Sequence, residues 1–186
     1  MNIYIKNMVC NRCIAAVDHI FNKMGISVEK IMLGEVVVRQ ELTSAQLLEL
    51  SNKLVANGFA LLENSTQKAL EQIKSLVIQT IAPLDLHEDF MLSQFLSNKL
   101  NKDYSALSKL FSQNSEMTLE QFFILQKIEK VKELLMYDEF TLTEISQKLG
   151  YKSVQHLSAQ FRSVTGFTPT QFKNKKNTQR IPLDTI

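Results

Sequence analysis

These 186 residues suffice for one or two domains, and 45% hydrophobic with 22% charged residues is the composition of a folded globular protein rather than a disordered or fibrous one. No apolar run approaches the ~20 residues of a membrane span and the start lacks the apolar core of a signal peptide, so a cytoplasmic protein is expected. A net charge of +2 gives little reason by itself to expect nucleic acid, and the two cysteines, Cys10 and Cys13, point to metal or redox chemistry rather than a structural disulfide.

Residues 2–6 alternate, with Ile3 and Ile5 on one face, and read as a strand. The loop Asn7-Met8-Val9-Cys10-Asn11-Arg12-Cys13 leads into a helix with Val17, Ile20, Phe21 and Met24 at core spacing and Gly25 as its stop. Residues 28–33 and 35–40 read as strands joined tightly at Gly34. Thr43 or Ser44 opens a second helix, whose apolar positions are Leu47, Leu48, Leu50, Leu54 and Val55. Asn57-Gly58 ends it, and residues 59–62 form a short last strand. The order βαββαβ predicts an α+β, ferredoxin-like domain over residues 1–64.

Met8-Val9-Cys10-Asn11-Arg12-Cys13, placed between the first strand and helix of such a unit, resembles the metal loop of the heavy-metal-associated domain of copper chaperones and metal-pumping ATPases. The resemblance covers residues 1 to about 64, with Phe59 where that family often places an aromatic beside the loop and Asn7 where it usually has glycine. It implies that Cys10 and Cys13 bind Cu(I) or another thiophilic ion. The residues agree: thiolates are soft donors and two suit Cu(I), whereas a closed zinc site needs four ligands. A helix start at Cys13 and the neighbouring Arg12 should favour the thiolate. A redox pair, or a reduced pair with no ligand, stays open. Met8 is expected to pack inward, Phe59 to fill the core, and His19 to face solvent.

From Ser65 the pattern is wholly helical. Ser65 or Thr66 caps a helix whose stripe is Leu70, Ile73, Val77 and Ile81. Packing within the domain is expected of it, although the spacing also suits a short dimer seam. A repeat follows: Leu107, Ser108 and Phe111 recur fifty residues on as Leu157, Ser158 and Phe161, and Thr118, Gln121 and Phe122 as Thr168, Gln171 and Phe172. In the second copy Thr141 and Glu144 form a capping box, Gly150 makes the turn, Ser153 caps the next helix, Gly166 ends it, and Thr168-Pro169 begins another. In the first, Leu92, Phe95, Leu96 and Leu100 make the first helix, Asn101 replaces the turn glycine, and Lys102 stands for Tyr151. A long helix over residues 118–137, with Phe122, Leu125, Ile128, Val131 and Leu135 as its stripe, joins the copies.

The segments ISQKLGY, LSAQFR and GFTPTQF resemble the second helix-turn-helix of the AraC family of bacterial transcription regulators, and the two copies joined by one helix resemble its DNA-binding domain. That domain is assigned to residues 65–175, leaving residues 176–186 as a basic tail. The resemblance implies a recognition helix in each of two successive major-groove segments of double-stranded DNA. The first would present Ser105, Ser108 and Lys109; the second would present Val154, Gln155 and Ser158, with Ser153 at its start. Lys109 suits guanine, Gln155 adenine and Val154 a thymine methyl. Ala159 departs from the family's frequent arginine. Lys102, Arg162, Lys173 and the run Lys175, Lys176, Arg180 would contact phosphate.

The combined expectation is a sequence-specific DNA-binding transcription regulator that responds to a thiophilic ion, with homodimerisation open. Two rivals stand beside it. One is a DNA-binding regulator with a redox-sensing or protein-interaction N-terminal module. The other is a metal chaperone whose helical half docks on a protein. No nucleophile–base pair, phosphate-cradling glycine loop or carboxylate pair stands out, so no enzyme is expected.

Overall fold

The computed structural model describes residues 1–174. The elements are β1 (Asn2–Lys6), α1 (Asn11–Lys23), β2 (Val28–Met32), β3 (Glu35–Val38), α2 (Ser44–Val55), β4 (Ala60–Leu62), α3 (Ser65–Ile81), α4 (Leu92–Leu100), α5 (Tyr104–Gln113), α6 (Leu119–Tyr137), α7 (Leu142–Lys148), α8 (Val154–Thr165) and α9 (Pro169–Asn174). They form two compact units, Met1–Leu76 and the part from Val77 onward, so the division falls inside α3. The expected basic tail, residues 176–186, and Lys175 lie outside the described residues.

The first unit is built on a four-stranded antiparallel sheet of order β2-β3-β1-β4. Alternation along β1 sends Ile3 and Ile5 to the core, beside Val36 and Val38 of β3. There they join Val17, Ile20 and Phe21 of α1 and Leu50 and Leu54 of α2. Met8 is fully buried, Phe59 is buried and His19 is exposed, as their surroundings in the sequence suggest. Two of the apolar positions expected on α2 are not core. Leu48 and Val55 are 65% and 62% exposed, because they lie about a quarter-turn away from the Leu47–Leu50–Leu54 stripe. Of the two residues expected to open α2, Thr43 or Ser44, Thr43 is the cap, and it forms a reciprocal capping box with Gln46.

The start of α3 belongs to this unit. Its cap is Asn64, not Ser65 or Thr66: the Thr66 N–H donates to Asn64 Oδ1 at 2.7 Å, and the Lys68 N–H to the Asn64 carbonyl. A stripe at i, i+3 and i+7, namely Lys68, Glu71 and Ser75, then reaches back to β1 and the β2–β3 turn. The Lys68 ammonium lies 5.3 Å from the centroid of the Tyr4 ring. A Cβ on Gly34 would sit 2.7 Å from Ser75 Oγ and 3.2 Å from Glu71 Cγ. At φ +78° and with so little room, this turn requires glycine.

The second unit is all helical among the described residues. Helix α6 runs through it and touches α5, α8 and α9. A single apolar stripe was expected on α6, but Gln126, Lys127, Glu129 and Lys132 are buried as well as Phe122, Ile128 and Val131, since neighbours lie on several of its sides. Two helix pairs, α4–α5 and α7–α8, pack with the same residues inward: Leu96 and Ile145 on the leading helices, Leu107/Phe111 and Leu157/Phe161 on the following ones. Phe111 meets Phe122 and Phe161 meets Phe172, with ring centroids 5.3 and 5.4 Å apart, so the fifty-residue repeat recurs in the packing. The turns differ. Asn101, left-handed at φ +49°, is two residues before the cap position Asp103. Gly150, at φ +65°, is three residues before Ser153. With the caps superposed, Lys102 corresponds to Lys152 and both are exposed. Tyr151 is the extra residue of the second turn, which corrects its expected equivalence with Lys102.

Candidate nucleic-acid interface and thiol site

On α5 the buried pair Leu107 and Phe111 fixes the opposite face outward. Ser105, Lys109 and Ser112 are exposed there, with Ser108 half-buried. On α8 the same construction exposes Gln155, Ala159 and Arg162 and leaves Val154 and Ser158 half-buried. Each helix therefore offers one solvent-facing stripe at i, i+3, i+4 and i+7 that carries a single cation: Lys109 near the middle of α5 and Arg162 two turns into α8. Lys102 is exposed in the turn before α5.

Two of the expected contact residues have other tasks in this structure. Ser153 Oγ accepts the His156 N–H at 3.1 Å and so caps α8. Lys173, on α9, pairs with Asp138, the left-handed residue that ends α6. Both are exposed.

Residues that sequence reasoning did not single out hold these helices in place. Tyr151 is 4% exposed; its hydroxyl donates to Gln160 Oε1 at 2.8 Å and its ring packs edge-on against His156. The Tyr151 ring also faces Lys127, whose ammonium is 3.7 Å from the centroid. Burial lowers the Lys127 amine to about 8. No carboxylate pairs with it among the described residues, so the aromatic faces of Tyr151 and Phe123 are its counterparts. Tyr104, the first residue of α5, donates to Glu120 in the first turn of α6, and burial raises its phenol well above the ordinary value. The sequence signal for both tyrosines is modest: an aromatic at a turn or helix start, where an exposed position would ordinarily be polar.

The thiols are brought together. Cys10 is the extended residue before α1, its carbonyl accepts the Cys13 and Ile14 N–H groups, and the two sulfurs are 3.5 Å apart. Both are half-buried and free. Burial pushes the Cys13 thiol up, and the Cys10 thiol adds to this against the backbone N–H groups of Val9 and Cys10. That is opposite to the direction expected from the helix start and Arg12: desolvation outweighs the dipole when no positive charge touches the sulfur. Among the described residues no group of three or more His, Cys, Asp or Glu could hold a metal, and Met8 is turned into the core. The pair therefore offers two soft donors.

Asn7, three residues before Cys10, is left-handed at φ +73° and its side-chain amide donates to the Gly58 carbonyl at 2.9 Å. Asparagine tolerates this region, which is how the loop keeps its shape without glycine. Glu71 of α3 is buried; burial raises its carboxyl, while Lys74, the Asn7 backbone and Lys6 lower it.

Residues 96–175 match the family model described as a helix-turn-helix domain. Among curated proteins, uncharacterized HTH-type transcriptional regulators of Staphylococcus aureus strains MSSA476 and MRSA252 are each 29% identical over 113 residues, which is 61% of this chain and 15% of theirs. The chain thus spans about 15% of the length of these relatives. Among solved structures, the C-terminal domain of the two-component response regulator yesN from Fusobacterium nucleatum is 26% identical, with a TM-score of 0.48, covering 55% of this chain and 99% of that one. The DNA-binding domain of AdpA, in complex with a target DNA, is 19% identical, with a TM-score of 0.47, covering 56% of this chain and 89% of that one. Among the described residues no helix is long and apolar enough to cross a membrane.

Proposed function

We propose that the protein is a sequence-specific, DNA-binding transcription regulator of the AraC type, acting in the cytoplasm, whose N-terminal unit senses a thiophilic ion such as Cu(I). The observation that carries the first part is the helix-turn-helix match over residues 96–175. The fifty-residue repeat and its like-packed helix pairs support two helix-turn-helix motifs, with α5 and α8 as the recognition helices. Lys109 and Gln155 would read base edges, and Lys102 and Arg162 would contact phosphate. Ser105, Ser108, Val154 and Ser158 would permit close approach to the groove.

For the first unit, the element order βαββαβ and the strand order β2-β3-β1-β4 support a ferredoxin-like domain. Cys10 and Cys13 would hold the ion. When bound, it supplies a charge centre that draws both sulfurs into thiolate ligation. The chain's own part is to keep the sulfurs adjacent, through the Cys10 carbonyl and the left-handed Asn7, and half-shielded from water.

The test is DNA binding by the wild type and the Cys10→Ser/Cys13→Ser variant, each with and without Cu(I), at one fixed salt concentration. Salt-dependent binding to a preferred sequence, altered by Cu(I) only in the wild type, is expected. No salt-dependent binding even to bulk genomic DNA would overturn the regulator reading. Equal affinity in all four conditions would overturn ion sensing alone. The 3.5 Å contact of two reduced thiols also supports a dithiol sensor as the second reading; a thiol titration after mild oxidation distinguishes a disulfide from an ion site.

A further inference from the structure

We propose that the connection between α3 and α4, residues 82–91, is a strap that fixes the two helix pairs relative to one another, with Leu86 and Phe90 as positioning residues for DNA reading across both pairs. The proposal rests on reading α5 and α8 as two recognition helices and names what sets their spacing.

The strap holds the second pair at Leu86. The Leu86 N–H donates to the Lys148 carbonyl at 3.0 Å, Leu86 and Leu149 form a parallel bridge, and the Leu86 side chain is buried. Gly150 leaves room for this approach, since a Cβ there would lie 2.6 Å from the His87 carbonyl oxygen. Four residues on, the strap holds the first pair at Phe90. The Phe90 ring centroid is 5.5 Å from that of Phe95 on α4 and 5.8 Å from that of Phe123 on α6, separations at which tilted aromatic rings attract. Between the anchors the chain turns, and the Phe90 N–H donates to the His87 carbonyl at 3.1 Å. Four residues span at most about 14 Å even when extended. The end of α7 and the start of α4 therefore cannot separate further while both anchors hold.

This closes a ring. Helix α6 already joins the pairs, touching α5 on one side and α8 on the other. The strap adds a second link, between the leading helices α4 and α7, and two links at separated points oppose the pivoting that each pair could make about its seam with α6. Phe123 connects the links: further along α6, the Lys127 ammonium lies 5.6 Å from the Phe123 centroid and 3.7 Å from that of Tyr151, in the turn of the second pair. The strap is also held against its own preference. Leu84 is left-handed at φ +60°, a conformation that a leucine adopts only where its surroundings impose it. Recognition helices that enter successive groove segments must match the helical repeat of DNA, so their separation decides which spacing of half-sites is read. Leu86 and Phe90 act on specificity through that separation rather than through contact with bases.

The experiment uses the full chain as wild type, Leu86→Ala, Phe90→Ala and Phe90→Tyr, each checked for folding by circular dichroism. The DNA-free readout is the residual dipolar couplings of amides in α5 and α8, which report whether the two helix pairs are oriented as one body. The DNA readout is affinity for the duplex that the wild type selects from a random pool, for that duplex with either half scrambled, and for versions with one or two base pairs inserted between the halves, all at one salt concentration. In the wild type we expect one alignment tensor for both pairs and a steep loss of affinity on insertion. In L86A and F90A we expect separate tensors and a flatter insertion penalty. Their affinity for the selected duplex should fall roughly tenfold, with scrambled duplexes bound within about twofold of the wild type, because a looser link forfeits part of the gain from joining two readers. F90Y keeps the ring and should lie nearer the wild type on every readout. Separate tensors in the wild type overturn the proposal without any variant. So do folded L86A and F90A chains with one tensor and the wild-type insertion penalty, an F90Y chain no better than F90A, or an equal loss on selected and scrambled duplexes. If the wild type selects no sequence, or one with a single half, the reading of α5 and α8 as two recognition helices falls, while the couplings still decide whether the strap fixes the pairs.

Discussion

Gly150 and Gly166 offer a controlled comparison. Both are left-handed, at φ +65° and +79°, and each follows a helix of the second unit. Their surroundings differ. A Cβ on Gly166 meets nothing within 4 Å, whereas one on Gly150 would lie 2.6 Å from the His87 carbonyl oxygen and 3.0 Å from that of Leu86. Those oxygens are backbone and cannot rotate away. Gly166→Ala should therefore cost only left-handed strain, about 1–2 kcal/mol, reduced by the lower freedom of the unfolded chain. Gly150→Ala carries the same strain and must also push residues 86–87 off α7. That breaks the 3.0 Å bond from the Leu86 N–H to the Lys148 carbonyl and loosens Leu86, which is 5% exposed. An unmade buried hydrogen bond of about 1–3 kcal/mol and partial loss of an apolar contact bring the total to roughly 3–5 kcal/mol. Urea unfolding of the full chain, followed by circular dichroism, measures the difference, and hydrogen exchange in α7 and α8 locates it. Equal destabilisation by the two substitutions would refute the claim that close approach of the 86–87 backbone fixes glycine at position 150.

Three further outcomes are expected. Lys127 has a folded-state pKa lowered to about 8 from 10.5, so between these values the unfolded chain binds more protons than the folded one and stability rises with pH. The gain is at most about 3 kcal/mol, and Lys127→Met should flatten the profile when pH-dependent unfolding is compared with that of the wild type. Ser153→Ala removes the α8 cap and should lower stability by about 1 kcal/mol in urea unfolding, with the DNA preference of the remaining folded protein unchanged. For DNA binding, Arg162→Ala should weaken all sequences alike and reduce the salt slope by about one. Gln155→Ala should instead relax preference at one base pair by about 1–3 kcal/mol. Competition binding at several salt concentrations separates the two, and a Gln155→Ala effect uniform across sequences would remove it from base reading.

What could be read from the sequence was local or periodic. The capping boxes of Thr118/Gln121 and Thr141/Glu144 are short local signals, and both form as reciprocal bonds. The inward residues of the helix pairs were visible because a repeat doubles the evidence for each. Tertiary surroundings were not visible. Leu48 resembles Leu50 until one knows that α2 has a single wall. Glu71 and Lys74 resemble an ordinary exposed i, i+3 pair until burial separates their roles. Cys13 sits three residues after an extended cap, and nothing local reveals that desolvation outweighs the helix start. The thiol pair and the exposed stripes of α5 and α8 lay in the sequence; the residues that tie those helices to α6, Lys127 and Tyr104, did not.

The two turns show how one added residue changes a repeated unit. In the first copy, Asn101 reaches the left-handed region and the cap position follows two residues later, with Lys102 exposed between them. In the second, the additional residue must go somewhere, and it goes inward as Tyr151. A tyrosine suits this position because its ring is apolar and its hydroxyl still needs a partner, which Gln160 on α8 supplies. The same ring gives Lys127 of α6 a face for its buried charge. The insertion thus links the turn, the exposed helix α8 and the long helix α6 through one side chain, a link with no counterpart at Lys102. The orientation of α8 is consequently fixed by more than its apolar seam, whereas α5 is tied to α6 at its first residue, through Tyr104 and Glu120. Two helices descended from one pattern are held at different ends, so substitutions at equivalent surface positions need not have equivalent effects.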